Sequence, residues 1–237
     1  MPREPSQWRK LTTATRWPLG VALTSMRYFW RTTPLHRTEE EGSIEEDLPP
    51  ALPDGVAHDE VQSVQDGVGP LFHRRYRTRI RDCRLSPSEL IDVIATDLDR
   101  VAPTEFASFQ KVAGEKSELR VGDEYVVRMA GPYDGPVRVI ARTPDSFRLA
   151  TLVTHLEAGQ IEFRTRTEDG LLVFEIESWA RSRDRIVSVL YDNLRMAKET
   201  QLHMWTSLLE RTAKRSDGRM AGGIDIHTRK VERPDAA

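Results

Sequence analysis

The chain has 237 residues, more than one average domain and fewer than two full ones need, so one core with tails is expected. Hydrophobic residues make up 38% and charged residues 30%, and no run of about eighteen apolar residues exists to span a bilayer as a helix. A net charge of −2 excludes a global field that gathers nucleic acid, and the single cysteine, Cys83, excludes an internal disulfide or a cysteine-based zinc cluster, which fits a cytoplasmic setting.

Residues 1–37 carry seven Lys or Arg against one Glu, together with Trp8, Trp17, Tyr28, Phe29 and Trp30. The apolar run from Trp17 to Met26 is broken by Gly20, Thr24 and Ser25 and lacks a small-residue cleavage site, so secretion is not expected. Residues 38–66 hold ten Asp or Glu and no Lys or Arg, with Pro49, Pro50 and Pro53. That composition predicts a disordered acidic linker.

From His73 to Arg81, four arginines alternate with Tyr76, Thr78 and Ile80, the period of a strand with one basic face. The bland reading is an edge strand defended by charge; phosphate binding is the sharper one. With no aromatic residue on the arginine face for stacking, nucleic acid is not an expected partner. Ser86 then caps a helix with Pro87 at its first position and Glu89 three residues after the cap.

Six more strands are predicted: Phe106–Val112, Asp123–Ala130, Pro136–Arg142, Ser146–Leu152, Gly159–Thr167 and Leu171–Ala180. Gly- and Asp-rich links such as Thr167-Glu168-Asp169-Gly170 imply hairpins and antiparallel pairing. Ser182–Arg215 reads as one long helix with Ile186, Leu190, Leu194, Met204 and Leu208 on a broad apolar face. Residues 217–237 lack periodicity and are expected to form a tail. The order, strand, short helix, six strands, long helix, predicts an α+β helix-grip domain over residues 67–216. In it a seven-stranded curved antiparallel sheet wraps the C-terminal helix, and a cavity is expected between them.

The segments Gly131-Pro-Tyr-Asp-Gly-Pro-Val, Ser146-Phe-Arg-Leu-Ala-Thr-Leu and His155-Leu-Glu-Ala-Gly-Gln-Ile-Glu-Phe resemble an uncharacterised family. It is catalogued as domain of unknown function nineteen-ninety, near the START and pollen-allergen (SRPBCC) superfamily. The sharpest element is a His-Pro-Glu-x-Gly-Glu type segment, matched by His155, Glu157 and Gly159, with Leu156 and Gln160 departing from it. The resemblance implies the helix-grip fold and binding of a hydrophobic small molecule or lipid; it implies no reaction.

No catalytic signature names a chemistry. His155, Glu157 and Glu162 fall within nine residues, close enough for acid–base work, but loop and strand-surface roles account for them. Glu175 and Glu177 share the outward face of the last strand and are expected to pair with Arg164 and Arg166 there. A register slip of one would turn them into the cavity as the carboxylates of a cyclase- or hydratase-like enzyme. Tyr76, Tyr125, Asn193 and Gln201 are the ligand-binding candidates, being polar groups on otherwise apolar faces. No metal site or cofactor is expected. The N-terminal aromatic segment points to docking on its own domain, on a second copy of the chain, or peripherally on a membrane.

Overall fold

The computed structural model describes residues 33–98, 107–129, 134–184 and 195–232. Residues 1–32, most of the basic aromatic segment, and residues 185–194, a part of the expected long helix that includes Asn193, lie outside that set, and Ser182, its expected first residue, ends a strand instead.

The architecture is a curved sheet with its two longer helices, one of them late in the chain, packed on one face. The seven predicted strands are all present: β2 (Val68–Arg81), β3 (Ala107–Ala113), β4 (Glu124–Met129), β5 (Asp134–Thr143), β6 (Ser146–Thr151), β7 (Glu157–Glu168) and β8 (Leu171–Ser182). Two more, β1 (Leu35–Glu41) and β9 (Arg219–Val231), make the sheet nine-stranded, in the order β1-β9-β2-β8-β7-β6-β5-β4-β3. All neighbours run antiparallel except β1 and β9, which are parallel.

Local chemistry explains these elements. Asp169 (φ 52°) and Gly170 (φ 75°) supply the two left-handed residues that a tight β7–β8 hairpin requires. Ser86 and Glu89 form the reciprocal capping box that starts α2 (Pro87–Thr96), which packs on β6 and β7. Helix α3 (Arg195–Arg215) rests on β2 and β9. The main core cluster lies between helices and sheet. Phe163 stacks on Phe147 at 4.7 Å and meets Trp205 edge-on at 5.8 Å, with Phe174, Ile176 and Leu208 fully buried around them.

Three expectations are corrected. The expected tail is β9, whose alternation is hidden in sequence by a bulge: Thr78 pairs with Ile224 and Arg79 with Ala221, leaving Gly222 (φ 85°) and Gly223 (φ 97°) unpaired with β2. Beyond that bulge, Ile224 and Ile226 point into the core with period two. The arginine-rich strand β2 is consequently no edge strand, for β8 and β9 flank it.

The expected linker is also ordered. After β1, the one-turn helix α1 (Ile44–Asp47) leads a strap, residues 42–67, that crosses the sheet face opposite α3. Its contacts there are to β9 (Glu46 and Asp47 to Arg229), β7 (Pro50 to Gln160), β6 (Ala51 to Arg148) and β5 (Glu60 to Arg138). Acidic composition predicts disorder when a segment has nothing to neutralise it. Here the outer sheet face supplies the arginines.

Candidate functional site

At the free end of the sheet, a cleft of about 510 Å³ opens between the C-terminal turn of α2 and the β3–β4 hairpin. Ala95, Leu98 and Phe109 give it an apolar wall; Gln110, Lys116 and Arg128 are among its polar residues. Phe109 and Leu98 belong to the main core cluster, so the wall is the core surfacing at its end.

Tyr125 also lines the cleft. Its ring lies 5.5 Å from Lys111 Nζ, and burial, with the nearby charge of Asp123, pushes its hydroxyl up to about 12. The phenol therefore stays neutral near pH 7. Lys111 pairs with buried Asp123, and Arg128 donates to Gln110 and, at 2.8 Å, to Asp134. These pairs engage the cationic side chains of the polar rim.

Of the other ligand-binding candidates, Tyr76 is buried in the core cluster. Gln201 ties α3 to the sheet, accepting from Arg74 at 3.0 Å and donating to Glu157 at 2.8 Å. Neither lines the cleft; Asn193 lies outside the described residues.

The catalytic candidates fall elsewhere. His155, Glu157 and Gly159 form a socket for the strap residue Gln62, whose side-chain amide donates to the carbonyls of His155 (3.0 Å) and Glu157 (2.8 Å). The Gln62 carbonyl accepts from the Gly159 amide at 3.0 Å and the Thr151 hydroxyl at 2.9 Å. A Cβ on Gly159 would lie 1.9 Å from the Trp179 carbonyl oxygen, which explains the glycine. Burial pushes His155 down against the opposing charge of Glu157, and its Nδ1 accepts from the Glu157 amide at 2.9 Å. It is a neutral structural imidazole.

Glu175 and Glu177 face away from α3, as the alternation of β8 requires, so no register slip brings them to a cavity. They pair with Arg164, and Glu175 also with Arg166 at 3.5 Å. Although they face outward, both carboxylates are buried: Glu175 is 2% and Glu177 4% exposed. Arg75 also bonds Glu177, at 2.9 Å, and His73 joins Glu177 to Asp47 of the strap. Burial pushes the Glu177 carboxyl up. The hydrogen bond from His73, the charge of Arg164 and the hydrogen bond from Arg75 outweigh it and hold the group at about 2.

This outer network was missed in sequence because its members come from β2, β7, β8 and the strap, whose register no short-range pattern reports. The one available signal was that His73 shares the period-two face of Arg75 and Arg77. Among the described residues, no cluster of three His, Cys, Asp or Glu side chains is arranged to hold a metal ion, and no helix is long and apolar enough to cross a membrane.

The elements define a helix-grip α+β domain enlarged by a strap and two strands. Ginseng major latex-like protein 151 from Panax ginseng is similar, with a TM-score of 0.46 and 11% identity over 61% of this chain and 97% of that one. Norcoclaurine synthase from Thalictrum flavum, in complex with dopamine and hydroxybenzaldehyde, gives 0.43 and 9% identity over 70% and 94%. Protein Ms6760 from Mycobacterium smegmatis gives 0.40 and 15% over 60% and 88%. No residue role is carried over from any of them. No protein-family model and no curated protein matches the sequence, so the resemblance to the uncharacterised family gains no support there.

Proposed function

We propose that the domain binds an amphipathic small molecule in the cleft between α2 and the β3–β4 hairpin. The observation that carries this reading is where open volume coincides with mixed chemistry. The cleft holds about 510 Å³, within the roughly 300–1,000 Å³ typical of ligand sites, and its walls divide into an apolar side and a polar side. A hydrocarbon or aromatic body would lie on Leu98 and Phe109, with its polar end toward Tyr125 and Arg128. This keeps the expected binding of a hydrophobic molecule or lipid and puts it in the cleft at the end of the core rather than beneath the long helix.

A cyclase- or hydratase-like reaction has no comparable support, because none of His155, Glu157, Glu175 and Glu177 lines the cleft. The test uses a fluorescent fatty acid as probe. The wild-type protein should bind it saturably with one site per chain, and Phe109→Glu, which places a charge on the apolar wall, should weaken binding at least about tenfold, since a buried unpaired charge costs several kcal/mol. Unchanged affinity in a folded Phe109→Glu protein would place the probe elsewhere and defeat the assignment.

A further inference from the structure

The strap is fastened to the sheet at several points, the ion pairs to Arg229 and Arg138 and the Gln62 socket among them, and the contact of Asp47 with His73 joins through a side chain that can carry either one proton or two. His73 Nδ1 lies 2.7 Å from Asp47 Oδ1 and Nε2 lies 2.7 Å from Glu177 Oε1, while its ring stacks on Trp179 at 5.2 Å and 15°. Each nitrogen faces a carboxylate oxygen, an acceptor, so each contact needs a hydrogen on the nitrogen or on the oxygen. Asp47 is fully buried, and although burial pushes its carboxyl up, the His73 hydrogen bond, the Ser43 amide and the charge of Arg229 together hold it below its ordinary value. Glu177 is held at about 2. Against two ionised carboxylates, both contacts can be made together only by a ring that carries a hydrogen on each nitrogen. A neutral imidazole has one N–H and keeps only one of them, leaving a lone pair against a buried carboxylate.

We propose that His73 is a proton-dependent latch, closing the strap over the outer sheet face when doubly protonated and loosening it when one proton is lost. The surrounding groups agree with that direction. From β8, Glu177 and Glu175 face the site; from β9, Arg229, His227 and Asp225; from β2, Arg75; from β7, Arg164 and Glu162; from the strap, Asp47 and Glu46; from β1, Glu40. The arginines are engaged by these same carboxylates: Arg75 and Arg164 by Glu175 and Glu177, Arg229 by Glu40, Glu46 and Asp47. The Asp47 contact is the strap's link through His73, and Val64 of the strap packs with Leu71, Trp179 and Val231 in a small apolar cluster.

Hydrogen exchange of the full chain between pH 5.5 and 9.5, corrected for intrinsic rates, tests the latch. Protection of residues 42–66 should fall about tenfold or more as pH rises, while that of β7 and the buried half of α3 stays constant; His73→Gln should make strap protection independent of pH. Flat wild-type protection, or a pH dependence that survives in His73→Gln, overturns the proposal. Should that variant not fold, the ring nitrogen resonances of His73 in the wild-type protein decide. Two protonated nitrogens that become one at the midpoint of strap opening support the latch, and a neutral ring throughout contradicts it.

Discussion

Replacing Glu177 by Gln should lower the stability of the protein by about 3 kcal/mol at pH 7, the free-energy equivalent of holding its carboxyl at about 2 rather than its ordinary 4.5. Loss of one member of a buried ion cluster commonly costs about 3–5 kcal/mol, because the remaining charges stay buried without their partner. Here the substitution would leave Arg164, Arg75 and His73 gathered around a neutral amide. The sign of the pH dependence follows from the depressed value. The contribution is complete above the unfolded pKa, near 4.5, and is lost as pH falls through about 2. Urea unfolding of wild type and Glu177→Gln from pH 7 down to 2 should show two curves that converge on the acid side. Parallel curves, or a deficit under about 1 kcal/mol at pH 7, would mean that the buried carboxylate is not the anion on which this face of the sheet is organised.

Phe163→Ala should cost about 3–5 kcal/mol, the range for removing a fully buried Phe from a core that relaxes only partly. Phe163 sits on β7 between Phe147 of β6 and Trp205 of α3, so its ring couples the middle of the sheet to the long helix. The variant should also lose Trp205 environment signals before the outer network responds, because the two lie on opposite faces. If thermal unfolding shows a loss below about 1.5 kcal/mol, the helix–sheet interior is looser than described. An open cavity beneath α3 would then return as the site of ligand binding.

The inner half of this protein is legible in its sequence because its signals are local. Alternation in β8, the Asp169-Gly170 turn and the Ser86–Glu89 capping box each specify structure within a few residues, and seven strands, one capped helix and the long helix follow. What lay beyond reach was set by partners distant in the chain. Residues 42–66 are held by partners distant in the chain, among them Arg138, Arg148 and Arg229, which present counter-charges and donors from more than seventy positions away. The Gly222-Gly223 bulge breaks the alternation that would have marked β9. The same distinction governs the sites. Glu175 and Glu177 were correctly turned outward by periodicity, but their burial depends on Arg75, His73 and the strap, which periodicity does not count. Tyr125, a polar group on an apolar strand face, lines the cleft, whereas Gln201, a polar group on the long helix, is engaged by Arg74 and Glu157.

The central claim is that ligand binding belongs to the end of the core. The most direct measurement is a heteronuclear NMR titration of the full chain with the fatty-acid probe, following the resonances of Leu98, Phe109, Lys116, Tyr125 and Arg128 against those of Tyr76, Phe163 and Leu208. Saturable shifts confined to the first group are the predicted result. Shifts centred on the second group, or none at ligand saturation, would contradict it.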